Sequence, residues 1–305
     1  MSRKMLGACA AALLIVVPAA VTGQSRQAAP ARETKDRLSQ DRMDRLVGRP
    51  ISTVQEQGLV AGQAAFERLL ARARASHGEG SVQVADLLES FGVLLYGLGR
   101  EGEDRGLRDA SVPYLDAAIP AYRAAFGNAH QEVAVALNSY ADVLQLLHPN
   151  DPPQAAEDAL EEAYHIRLAA LGPSNVETLA TLKYLATLRG LPSRTRGDPA
   201  RIEAVAAQFR ELIARAPDDP RRRQDSAPYV QAAFALMLAQ NGLTDRAREQ
   251  LRLAADGTRS WDGQERCVFA ATRVATVEAV LEEKGAGPPE LRMRGSHGLL
   301  ECISP

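Results

Sequence analysis

Aromatic residues are scarce in this chain, 5% of it with a single tryptophan, and cysteines number three. Few cysteines leave room for one bridge at most once a leader is removed. A composition rich in Ala, Leu, Arg and Glu and poor in rings suits helices. No segment shows sustained strand alternation flanked by hairpin turns, so a β architecture is not expected. Catalytic signatures are missing too: there is no H-E-x-x-H, no G-x-S-x-G and no phosphate-cradling glycine loop. The five histidines, His77, His130, His148, His165 and His297, lie far apart along the chain. His77, His130 and His148 fall at or near helix ends, where capping or solvation is their ordinary role. No metal and no cofactor is expected, and the chain reads as no enzyme. The net charge of −2 gives no reason to expect nucleic acid.

What is present is a helical unit that recurs. Ala110 to Asp142 slides onto Ala155 to Thr187 with a shift of 45 residues. Identical residues coincide at Leu115/Leu160, Ala118/Ala163, Ala125/Ala170, Gly127/Gly172, Glu132/Glu177, Leu137/Leu182 and Ala141/Ala186. A weaker copy lies 49 residues upstream, where Gly78, Val84, Leu88 and Phe91 meet Gly127, Val133, Leu137 and Tyr140. Units of this size cannot bury their apolar faces alone and stack against one another.

The N-terminus reads as a secretory signal over residues 1–23. Arg3 and Lys4 form a positive start, Leu6 to Val17 an apolar run, and Pro18 ends it ahead of small residues at Ala19, Ala20 and Gly23. A cut after Gly23 or after Ala20 fits. The alternative is an uncleaved anchor, against which Pro18 and the short run both count, since a span needs about 20 apolar residues. Cleavage removes Arg3 and Lys4 and no acid, taking the net charge from −2 to −4. The address is secretion across the inner membrane, with the periplasm as destination. Two cysteines, Cys267 and Cys302, survive processing, and an oxidising compartment favours a bridge between them. The alternative is two unpaired thiols.

Along the chain, 24–57 is polar and charged and is expected to be a disordered linker, with room for helix around Arg37 to Val47. Repeats occupy 58–255, a capping helix region 256–284, and an irregular tail 285–305. Helices are expected over Ser81 to Leu98, Val112 to Phe126, Gln131 to Leu147, Gln154 to Leu171, Ala200 to Ala216, Ala227 to Asn241, Thr244 to Ala255 and Gly263 to Lys284. Gly99 to Asp109 reads as a loop, and Pro120 should kink or split the helix that holds it. Arg221-Arg222-Arg223 reads as a solvated basic turn. Trp261 is expected to anchor the capping helix.

The strings LAALGPSNVETLATLKYLATL (168–188) and RAAFGNAHQEVAVALNSYADVL (123–144) bring in a known family. This segment resembles tetratricopeptide (TPR) repeats, the middle copies looking like the longer kinesin-light-chain subtype. The last copy, with Phe234, Ala235, Leu238, Gly242, Ala247, Leu251 and Ala254, resembles the ordinary 34-residue form. Four copies are counted. The resemblance implies an all-α solenoid of antiparallel helix pairs with a C-terminal capping helix, and a concave face lined by the first helix of each pair. It places Glu89, Ser90 and Val93, then Asn138, Ser139 and Asp142, then Lys183, Tyr184 and Thr187 along a peptide-binding groove. Asn138 stands out, because an amide offers both donor and acceptor to a peptide backbone. Mixed charge in the groove does not copy a basic clamp for terminal carboxylates. The reading that follows is an exported, non-catalytic scaffold binding a protein or peptide of unknown identity. A structural envelope spacer, or a small-ligand protein or enzyme on a repeat frame, are the alternatives.

Overall fold

The computed structural model describes residues 40–217 and 219–285. The expected signal 1–23, the first part of the linker 24–57, the tail beyond Gly285 and Cys302 lie outside the described residues. Thirteen α-helices follow one another, with no strand among the described residues: α1 (Gln40–Gln57), α2 (Leu59–His77), α3 (Val82–Glu101), α4 (Arg105–Phe126), α5 (Gln131–Leu147), α6 (Gln154–Leu171), α7 (Val176–Arg189), the single turn α8 (Pro192–Thr195), α9 (Pro199–Arg215), α10 (Ala227–Gln240), α11 (Thr244–Gly257), α12 (Gly263–Phe269) and α13 (Ala275–Glu283). They pair as antiparallel hairpins α1–α2, α3–α4, α5–α6, α7–α9 and α10–α11, with α13 packed on α10. This is the all-α solenoid, with one more pair than the four copies counted.

Local chemistry sets the boundaries. Ser81, Asp104, Asn175, Asp198 and Asp262 each accept a backbone N–H at the first turn of α3, α4, α7, α9 and α12. His130 caps α5 through Nδ1, accepting from the Glu132 N–H at 3.2 Å. The repeated glycines Gly78, Gly127 and Gly172 end α2, α4 and α6 with φ of 90°, 89° and 83°. A side chain rarely adopts that backbone region, so glycine recurs there.

Three expectations need correction. Residues 40–57 are not a linker but helix α1: Met43, Val47 and Val54 share one face and are buried against the array. The loop Gly99 to Asp109 shrinks to a short turn, because Asp104 caps α4 through the Leu107 N–H at 3.1 Å. Finally, α4 runs unsplit through both Pro113 and Pro120, its burial on α3 outweighing the missing N–H groups.

The core is linear, not central. One apolar cluster runs from Met43 to Leu188 and a second from Leu179 to Leu281. Helix α7 belongs to both, giving Leu185 and Leu188 to the first and Leu179, Leu182 and Ala186 to the second. The scarce rings sit at seams between pairs. Phe66 stacks on Phe91 with centroids 4.0 Å apart, and Tyr114 meets both edge-on. Phe209 stacks on Phe234 at 5.2 Å. Trp261, buried against Phe269 and Tyr229, closes the C-terminal end. Helix α3 is long and apolar enough to cross a membrane by composition, yet Val84, Leu88, Phe91 and Leu95 are buried within the stack.

Candidate functional site

The hairpins form two layers. Helices α1, α3, α5, α7 and α10 make one, and α2, α4, α6, α9 and α11 the other. Side-chain bonds join neighbours within each: Ser139 of α5 to Glu89 of α3, Asn138 of α5 to Thr181 of α7, and, in the second layer, Arg123 of α4 to Glu162 of α6 and Arg246 of α11 to Glu203 of α9. The residues expected to line a groove, Glu89, Ser90, Val93, Asn138, Ser139, Asp142, Lys183, Tyr184 and Thr187, therefore lie on three adjacent helices of the first layer. All are partly exposed.

Most of them already have partners inside the chain. The Tyr122 hydroxyl faces two carboxyl groups, Asp86 at 2.7 Å and Glu89 at 2.8 Å, and Ser139 donates to the other Glu89 oxygen at 3.1 Å. A single phenolic proton cannot satisfy both acids fully. Burial pushes the Glu89 carboxyl above its usual range, partly offset by the Tyr122 bond. Arg167, buried on α6, donates to the Thr181 hydroxyl at 2.6 Å and to the Glu177 carbonyl at 3.1 Å. With its amide turned to satisfy both neighbours, Asn138 accepts from Arg167 at 2.6 Å. Burial lowers the Arg167 pKa, opposed by the charge of Glu177.

Lys183 is tied down as well. Its ammonium reaches Asp225 at 2.9 Å and the Gln224 carbonyl at 3.1 Å, fastening α7 to the 3-10 turn Pro220–Asp225. Thr187 donates to the Lys183 carbonyl of its own helix. Two residues of the basic run are likewise anchored: Arg222 lies 3.7 Å from Glu177, and Arg223 lies 3.3 Å from Glu265 with its guanidinium over the Trp261 ring.

Asp142 is the exception among the charged groove residues. Among the described residues it has neither hydrogen bond nor ion pair, and it is half-buried in the middle of the layer. Burial alone raises its pKa from 3.8 to about 6. Two tyrosines flank it, one from each neighbouring helix. Burial raises the pKa of Tyr96 on α3 and of Tyr184 on α7, the latter to about 12, and the Asp142 charge adds to both. Both phenols thus stay protonated at neutral pH, as donors beside an acceptor. Tyr96 had not been singled out from the sequence. It stands seven residues after Glu89, two helical turns further along the same face, which is the signal that could have found it. Asp86, Tyr122, Arg167 and Asp225 had no local signal, because each acts on a residue of another helix.

These contacts define a helical-repeat array. No protein-family model matches the chain, and no curated protein does. A solved structure from Podosopora anserina, described as a candidate kinesin light chain with nearly identical TPR-like repeats, matches at 16% identity, covering 72% of this chain and 97% of that one, with a TM-score of 0.49. The array of antiparallel pairs stands on this chain's own contacts.

Proposed function

We propose that this chain is an exported, non-catalytic interaction scaffold whose first-layer face, built by α3, α5 and α7, receives a protein or peptide carrying a cationic group. Asp142 carries the reading. A half-buried carboxylate without a partner costs stability and returns none to the fold, whereas its neighbours Glu89, Asn138, Ser139 and Lys183 are engaged within the array. An incoming lysine, arginine or terminal ammonium supplies the missing charge, with Tyr96 and Tyr184 beside it as donors and as ring surfaces for a cation. Ser90 and Val93 lie on the same helix as Tyr96 and extend the contact surface. The stacked pairs hold the face in shape before the partner arrives, so binding loses little ordering entropy. The resemblance to TPR repeats supports the same assignment. Export to the periplasm follows from the apolar run Leu6 to Val17 and its flanks.

The test is capture of partners from a periplasmic extract by wild type and by Asp142→Asn, with bound proteins identified. Specific loss of a partner in the variant, and weakening of wild-type capture as the pH falls below about 6, are the expected results. Unchanged capture removes Asp142 from the interaction.

A further inference from the structure

The first hairpin carries four arginines in one cleft. Arg45 and Arg49 stand one turn apart on α1, and Arg68 and Arg72 one turn apart on α2. All four line a cavity of about 470 Å³, whose remaining walls are Leu46, Pro50, Thr53, Ala65 and Leu69. The helices run antiparallel about Gly58, so the two pairs face each other. Among the described residues no carboxylate lines the cavity, and none of the four arginines is in an ion pair.

Many of the chain's other arginines find acids: Arg123 with Glu162, Arg189 with Glu157, Arg210 with Glu203, Arg215 with Glu211, and Arg252 with Glu249. Like charges one turn apart weaken a helix, and here two such pairs are set opposite each other. An arrangement of this kind is relieved by a compact anion of more than one charge. Guanidinium forks match the oxygens of a phosphate, and several of them can share one group. A single carboxylate would neutralise only one of four. The apolar walls give the uncharged part of such a ligand a surface to lie on.

We propose that the α1–α2 cleft binds a phosphate-bearing anion, its phosphate held by Arg45, Arg49, Arg68 and Arg72 and the rest of the molecule lying against Leu46 and Leu69. The site is separate from the face around Asp142 and opposite to it in charge. Two sources supply this chemistry, a phospholipid head group or a soluble phosphoester.

The experiment uses the whole exported chain with two probes. Sodium pyrophosphate is titrated by calorimetry. Retention is measured on phosphatidylcholine vesicles with and without phosphatidylglycerol. The variants are Arg45→Gln with Arg49→Gln, and Arg68→Gln with Arg72→Gln. The control is Arg252→Gln on α11 with Arg259→Gln in the turn just after it. Each variant is checked for helicity, and the single substitutions Arg49→Gln and Arg68→Gln replace a pair that does not fold. Wild type and control should bind, each cleft pair should weaken binding about tenfold or more, and added salt should weaken it further. Pyrophosphate binding without vesicle retention assigns a soluble phosphoester. Retention only on phosphatidylglycerol vesicles assigns a lipid head group. Wild type that binds neither probe, or cleft variants that bind as wild type does, overturn the proposal.

Discussion

The Arg167 guanidinium on α6 donates to the Thr181 hydroxyl on α7 at 2.6 Å, and Asn138 of α5 closes the network from the neighbouring pair. Three helices from two successive hairpins thus share one buried polar knot. Removing the amide leaves a buried cation short of an acceptor. Asn138→Ala is expected to lower unfolding free energy by about 1–3 kcal/mol in urea denaturation, with partner capture by the folded protein unchanged. The opposite outcome, lost capture at unaltered stability, would make Asn138 a ligand contact as the family resemblance implies.

Asp142 should behave in the reverse sense. Its folded-state pKa lies above the ordinary value, so the folded chain binds more protons than the unfolded one across the window from 3.8 to about 6. Stability tied to this group is therefore fully present below that window and lost as the pH rises through it. Asp142→Asn keeps the shape and removes the titration. At about pH 8 the variant should be more stable than wild type by roughly 1–2 kcal/mol, partial exposure trimming the full linkage value. Near pH 4 the two melting curves should converge. A variant less stable at high pH would mean that the carboxylate has a structural partner in solution.

Close packing between α3 and α4 centres on Gly92. A Cβ built there would lie 2.8 Å from Leu115 Cγ and 3.2 Å from the Ser111 carbonyl. The same repeat position is held by Ala141 and Ala186, both fully buried, so a small residue recurs at this point of the pair. Gly92→Val is expected to destabilise by about 1–3 kcal/mol through overpacking, read as a lower denaturation midpoint. Gly92→Ala should be milder, because the gain in helix propensity of about 1 kcal/mol opposes the clash. Valine tolerated without cost would show that the two helices can spread.

These residues also show what the sequence could and could not convey. The glycines Gly78, Gly127 and Gly172 and the buried positions Leu115/Leu160 and Ala141/Ala186 encode local requirements, backbone sign and side-chain volume, so they repeat and the array is legible from them. Helix α1 was legible only in its first part, because its apolar residues Met43, Leu46, Val47, Ile51 and Val54 sit within a charged stretch interrupted by Pro50, and the helix is held by burial on the next pair. The early start of α4 rests on one cap at Asp104 and one apolar residue, Leu107. The face around Asp142 was half legible. Resemblance placed residues on the correct helices, but whether a polar side chain is free or engaged depends on partners 33 to 50 positions away, as with Tyr122 and Glu89 or Glu89 and Ser139. No local pattern carries that information.

The C-terminal end offers the last prediction. Cys267 lies half-buried on α12 beside Val268, which is 51% exposed. Helix α12 continues through the π turn Ala270–Val274 into α13, which packs on α10, so this end of the stack is finished by a helix that leaves Val268 exposed. A bridge from Cys267 to Cys302 would close a loop of about 35 residues, worth roughly 3–4 kcal/mol in the chain-entropy model. Terminal units of a linear array open first, because each is held by one neighbour only. The bridge should therefore matter most for local opening at Trp261, the sole tryptophan. Peptide mapping without reductant should recover a Cys267–Cys302 cross-linked peptide. Reduction, or Cys302→Ser, should shift the Trp261 fluorescence transition to lower denaturant while the α3–α6 region, followed by hydrogen exchange, stays protected. Free thiols at both cysteines in the exported protein would remove the bridge, and the end would then rest on the packing of Trp261, Phe269, Tyr229 and the buried face of α13.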